Sequence, residues 1–543
     1  MGALVITISS EGKKLDPVAE ILSVEVTREV NRVPKAEVKL IDGSVPERKF
    51  ELSDDTLFEP GKKVTIAARE GDAADATLFE GLVVRHGVES RPGGSFLRVE
   101  LKDAAFKLTR KRRSAVYRNQ ADDEAIRKLI GDAGLSVGTL EATRVKHQEL
   151  VQYYSTDWDF IVSRAEAEGL AVDAHLGEVS VVPLASSAKP KLKLEHGLKD
   201  VELDLELDAT DQWAELTSQG WDAKNLAVTE PAQAKDPKVK VGNLDAAAVA
   251  RKLGGASNAM LHPVPLPQDE LSAWASARLA RSRLTMLRGN ASVPGNPDLA
   301  PLDVVEVEGV GQRFNGKALV TGVVHRLDLG SWRTELRFGL SPEIFAREED
   351  IADAPAAGLL PPVQGVQVGV VAGFEDDPDG EHRLKVKPSA LDDQQGPLWA
   401  RVARPDAGDK RGQVFWPEPN DEVVLGFVNG DPRQPIILGS LYGSKNAPPE
   451  AAGPPSEDNN KRAIVSRGGT AIAIDDEKNA ITIETPGGNK VTVDDDAGAI
   501  TLEDQNGNKI TLDSSGMTLK VEGDFNVDAS GKVVIKGSAV DVQ

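Results

Sequence analysis

The sequence predicts a mainly β protein with an α+β segment in its N-terminal half and a repeating β-prism at its C-terminal end. Three observations carry this prediction. Short segments of alternating apolar and polar residues fill positions 3–101 and return over 192–207 and 304–340. Two amphipathic stretches with helix start and stop residues lie between them. From Gly469 the chain repeats itself with a period of 19 residues, restarting at Gly488 and Gly507.

Residues 1–105 read as a first β-domain, a small barrel. Ala3-Leu4-Val5-Ile6-Thr7-Ile8, Lys63-Val64-Thr65-Ile66 and Leu97-Arg98-Val99-Glu100-Leu101 alternate cleanly and are separated by Gly, Pro and Asp. Residues 106–190 form an α/β segment. One helix runs from Asp122 and stops at Gly131 or Gly134; a second opens behind Thr156, a capping residue, and stops at Gly169. Residues 191–360 read as a second β-domain carrying one longer helix, Gln268 to Leu287. The prolines from Pro355 to Pro362 punctuate the chain. Residues 361–443 then have the size of a five-stranded barrel, and 444–466 form a Pro- and Gly-rich linker.

The repeat, 467–543, carries apolar doublets with one residue between their members. Ile472/Ile474 and Ile481/Ile483 return as Val491/Val493 and Ile500/Leu502, then as Ile510/Leu512 and Leu519/Val521. Each strand therefore has one apolar and one polar face. A unit this short cannot close a core alone, so the expected solution is a stacked or intertwined prism built from several copies of the chain. The 14 acidic and 7 basic residues from Arg467 onward would make it an acidic, well-solvated rod.

Charge and motif content narrow the function classes. A formal charge of −22 argues against nucleic-acid binding, which needs a basic surface. With no cysteine, disulfides and thiolate metal sites are excluded, and synthesis in a reducing cytoplasm is expected. The N-terminus lacks the pattern of a secretory signal, and no apolar run has the length of a membrane helix. The seven histidines are scattered, with none at helical metal-ligand spacing. No nucleophile elbow or phosphate-binding loop is present. Asp475-Asp476-Glu477 and Asp494-Asp495-Asp496 follow apolar strands, where they are expected as solvated turns in preference to calcium ligands. Arg110-Lys111-Arg112-Arg113 is expected as a packing or interface feature, and Trp399 and Trp416 as core or rim packing. Catalytic residues, metal sites and cofactors are thus all expected to be absent.

The block from Leu398 to Tyr442 closely resembles the OB-fold of VgrG-type spike proteins, with Trp399, Gly426, Gly430, Asp431, Pro432, Pro435 and Gly439 carrying the likeness. Asp157-Trp158-Asp159-Phe160, followed by Arg164 and Gly169, resembles a helix of the same family's hub, as does the Arg110–Arg113 run leading to Ser114 and Tyr117. The resemblance implies hub barrels, an OB-fold and a C-terminal needle in that order. It also implies a homotrimeric central spike of a contractile injection system, one that adapts a sixfold inner tube to a threefold needle.

The resemblance implies further partners: an inner-tube ring, baseplate proteins, a PAAR-like tip protein, effector cargo, and the target membrane transiently. The needle core would be the twelve apolar residues of the doublets, and the tip protein would sit on Val540, Val542 and Gln543. The linker leaves no room for the muramidase of phage needles, and a spike without a C-terminal effector domain is expected. The favoured expectation is an extracellular phage-tail-like particle, assembled after cytoplasmic synthesis. The alternatives are a type VI secretion spike without an effector domain and a contractile phage tail spike. A cell-wall hydrolase and a glycan-binding adhesin are the competing classes.

Overall fold

Alternation of branched apolar and polar side chains governs the chain from its first strand, Leu4–Ser10, to its last, Gly516–Lys520. The computed structural model describes residues 3–184, 188–328, 330–391, 394 and 396–543. They fall into two units, 1–353 and 354–543.

In the first unit, the strands of the first expected β-domain and those of the second outside residues 208–267 belong to one 13-stranded sheet. The pair that joins them is Ile21–Glu29 against Gly316–Asp328, antiparallel, with Val26 opposite His325. The two expected β-domains, 1–105 and 191–360, are thus joined edge to edge through this pair, and each keeps its own core. Val38, Leu40, Val64, Ile66, Leu97 and Val99 fill one core, and Val305, Val307, Val320 and Leu336 the other. Alternation shows which face of a strand is buried but not which distant strand lies beside it, so this junction has no local signature.

The α/β segment contains the helices Asp122–Asp132 and Asp157–Ala167. Thr156 caps the second, its hydroxyl accepting the Asp159 N–H at 3.1 Å. Gly134 and Gly169 follow the two helices with φ of +68° and +73°, the left-handed conformation that ends a helix cheaply only at glycine. Ile126, Leu129, Ile130, Ile161 and Val162 pack between them. The longer helix runs Gln268–Thr285. It lies beside a four-stranded sheet that includes Glu215–Asp222 and Ser257–His262, elements the periodicity of 208–267 did not announce. Among the described residues no helix is long and apolar enough to cross a membrane.

The second unit opens with a closed five-stranded barrel: Gln367–Gly373, Leu384–Pro388, Leu398–Val402, Pro435–Ser440 and Glu422–Phe427, the last pairing back to the first. Val371, Val386, Ala400, Val423, Leu425 and Ile437 fill it. A seven-stranded antiparallel meander follows, from Lys461–Val465 to Gly516–Lys520. Its first strand lies inside the expected linker 444–466, where the adjacent Ile464 and Val465, without alternation, were too little signal to mark a strand. Residues 521–543 carry no helix or strand.

Candidate interaction surface

Each meander strand is five residues long, and each neighbouring pair runs without a register shift. The doublets therefore line up across the sheet. One column runs Ile464, Ile472, Ile483, Val491, Leu502, Ile510 and Leu519, each residue directly opposite the next. The second runs Ile474, Ile481, Val493, Ile500, Leu512 and Met517. Ten of the twelve doublet residues are 38–47% exposed in the single chain, an apolar stripe with nothing over it. The register corrects the doublet assignment at one end. Val521 lies beyond the last strand, and Met517 takes the position opposite Leu512. Ile464 and Met517 escaped the periodicity because the doublet pattern loosens at both edges, and only the pairing places them.

The other face is polar. Thr482, Thr492, Thr501, Thr511 and Thr518 form a central column. Beside it Lys490 pairs with Glu484 at 3.8 Å, and Lys509 with Glu503 at 3.3 Å. These exposed pairs add little stability but keep this face wet. The acidic clusters serve the turns. Asp475 accepts the N–H groups of Glu477 and Lys478, and Asp494 that of Ala497 at 2.8 Å. In the next turn Asp504 accepts from Asn506 and Asn508, which holds its carboxyl down at about 2. Among the described residues no group of three His, Asp or Glu side chains is placed to hold a metal ion.

The barrel motif has separable roles. The Trp399 ring is half-buried under Lys385 and Arg383, whose cations lie 5.1 and 5.8 Å from its centroid. Gly430 adopts φ +68°, and a Cβ there would stand 3.2 Å from the Val363 carbonyl oxygen. Asp431 accepts the backbone N–H of Arg433 at 2.9 Å and also binds its guanidinium, which holds the Asp431 carboxyl below the ordinary range. Pro432 lies in the same turn, and Pro435 starts the next strand with its ring buried. Gly426 lies against Leu438, whereas Gly439 faces open space.

In the first unit the basic run and the Asp-Trp-Asp-Phe helix meet. Arg113 Nε donates to Asp157 Oδ1 at 2.6 Å, and Gln152 Nε2 donates to the same oxygen at 2.9 Å. Tyr117 stacks on Phe160 at 5.7 Å and donates its hydroxyl to Gln152. Arg112 binds Asp350 and the Ile351 carbonyl, while Arg110 lies over Phe106. The run is thus spent on packing inside its own fold.

Three family models match the chain in order. Residues 1–328 match the Alg8 N-terminal domain. Residues 367–442 match the type VI secretion system/phage-baseplate injector OB domain, and 480–543 the phage baseplate V C-terminal trimerisation domain. The chain belongs to the phage-baseplate and VgrG spike family. Among relatives, the type VI secretion system spike protein VgrG1c of Pseudomonas aeruginosa is 24% identical over 85% of this chain and 66% of its own length. VgrG2a of the same organism is 32% identical over 30% of this chain and 21% of its own. A solved structure, the E. coli c3393 protein, is described as a component of the type VI secretion system. It aligns with a TM-score of 0.39 at 15% identity, over 80% of this chain and 99% of its own. The chain spans about 60–66% of the length of three Pseudomonas aeruginosa spike proteins it matches, VgrG1a, VgrG1b and VgrG1c.

Within this spike-family architecture, the trimerisation-domain match begins at Ala480, the first residue of the meander's third strand, and takes in most of the two apolar columns. It also covers the end of the chain, where Val540 and Val542 are 58% and 87% exposed. The Gln543 amide bonds Asp541 at 3.3 Å. Phe525, Val527 and Ile535 are exposed in the same stretch.

Proposed function

We propose that three copies of the chain form the central spike of a contractile injection machine, joining a sixfold tube to a needle that contraction drives through a target envelope. The observation that carries this is the apolar stripe of the meander. Thirteen aligned side chains on one face and a threonine column on the other make a wall that is stable only when the first face is covered. The trimerisation-domain match supports further copies of this chain as the cover.

The spike's work is mechanical, without catalysis of its own. The tube ring, baseplate proteins, a tip protein on Val540, Val542 and Gln543, effector cargo and a transiently crossed membrane are its proposed partners. An extracellular phage-tail-like particle is the proposed setting, with synthesis in the cytoplasm. Electron microscopy of particles purified from the producing organism tests the assignment: density for three chains on the particle axis below the tube supports it, and a particle that lacks the chain contradicts it. Zymography on peptidoglycan tests the mechanical part. Clearing that is lost on a single point substitution would overturn it.

A further inference from the structure

The long helix Gln268–Thr285 carries Arg278, a residue with no hydrogen bond or ion pair among the described residues, and its Nη1 is sealed from solvent. A guanidinium brings five donors and a charge that never leaves it. Leaving part of it dry and unpaired costs more than a typical fold tolerates without compensation. The surroundings add to the imbalance. The charges acting most strongly on Arg278 are the guanidiniums of Arg281 and Arg347 and the carboxylates of Glu166 and Asp211. Glu166 is already committed to Arg281 at 2.6 Å, to the Asn31 amide and to the Phe345 N–H. Asp211 makes no ion pair with Arg278. Three cations thus face two anions, and burial together with the two arginines pushes the Arg278 guanidinium below its ordinary range.

Arg278 also lines a cavity of about 120 Å³ between the helix and the strands Glu215–Asp222 and Ser257–His262, with Asp211, Trp213, Asn258, Arg281 and Ser282 in its wall, two guanidiniums to one carboxylate. It has room for several waters or one small polyatomic ion. The Ser282 hydroxyl is turned away from this role, since it donates to the Asp211 carbonyl at 2.7 Å. We propose that this cavity is a binding site for a small oxyanion of the phosphate class, held by the planar fork of Arg278 within the field of Arg281. The bound anion would supply the missing negative charge and tie the long helix to the small sheet beside it. The site is independent of the proposed needle, so its failure leaves the spike assignment untouched.

The test is the thermal midpoint of the full-length protein titrated with inorganic phosphate, against chloride at matched ionic strength. For the wild type, the midpoint should rise saturably with phosphate and not with chloride. Arg278→Met should abolish the phosphate response, while its midpoint in phosphate-free buffer stays at or above that of the wild type, because an uncompensated charge has been removed. Asn258→Asp, which adds a second carboxylate to the wall beside Asp211 and matches the two guanidiniums, should weaken the response at least tenfold in half-saturating phosphate without touching Arg278. A wild type indifferent to phosphate, an Arg278→Met protein that still responds, or one several degrees less stable without phosphate would overturn the proposal. The last result would show that Arg278 already has its partner within the chain.

Discussion

Ile483 and Val491 stand directly opposite each other on neighbouring antiparallel strands, yet both are about two-fifths exposed. Between them and Thr482, one residue earlier on the same strand, lies the difference between the two faces of the meander. Ile483→Asp should prevent association, since each fully buried Ile is worth about 1.5–3 kcal/mol and a trimer would bury three unpaired carboxylates in its place. Thr482→Asp should leave association intact. Sedimentation velocity on both variants checks the assignment, and equal damage would show that the faces are reversed.

The two motif glycines Gly430 and Gly439 should respond differently to alanine. At Gly430 the backbone is left-handed and the new Cβ would crowd the Val363 carbonyl, so Gly430→Ala should destabilise the barrel by about 1–3 kcal/mol. Gly439 has neither constraint, and Gly439→Ala should be neutral within about 0.5 kcal/mol. Urea unfolding of residues 354–543 measures both.

Acid should weaken the first unit through two histidines, His325, which is buried, and His175, which is partly buried. Trp332 Nε1, which can only donate, points at His325 Nδ1 at 3.4 Å, so that nitrogen must be the acceptor of a neutral ring. Burial, with Arg28 adding to it, holds His325 down at about 4, and His175 is held at about 4 in the same way. A folded value below the unfolded one, near 6.5, means that the unfolded chain takes up the proton first. Stability is therefore complete above about pH 6.5 and falls as pH drops toward 4, by up to about 3 kcal/mol for His325. Chemical denaturation between pH 4.5 and 8 should show this slope. His325→Asn should be less stable at pH 8 but have a shallower slope, with His175 providing what remains.

Removing Ala539–Gln543 should leave the oligomer whole, because the paired strands end at Lys520 and keep their columns. The same truncation should abolish capture of the proposed tip protein from particles purified from the producing organism. Unchanged retention of that protein would move its seat elsewhere.

Much of this was written locally in the sequence. The 19-residue period gave the strands of the meander, their polar and apolar faces, and the Asp-rich turns. The helix at Asp157 announced itself through Thr156 and Gly169, and the closed barrel through its size and its resemblance. The pairing of Val26 with His325 could not be read, because two halves of a sheet that meet across 300 residues share no local pattern. Neither could the meeting of Arg113 with Asp157, or the place of Met517, which depends on hairpin register and not on composition. The cavity at Arg278 was equally silent, since an arginine on a helix rich in Ala, Leu and Arg looks solvated until its neighbours are known.

The most direct test of the account is the mass of the purified full-length protein in solution, measured by light scattering at neutral pH. Three chains of 57.9 kDa each are predicted, with the mass unchanged over a tenfold dilution. A monodisperse single chain that keeps its meander folded, with the two apolar columns facing water, would contradict it.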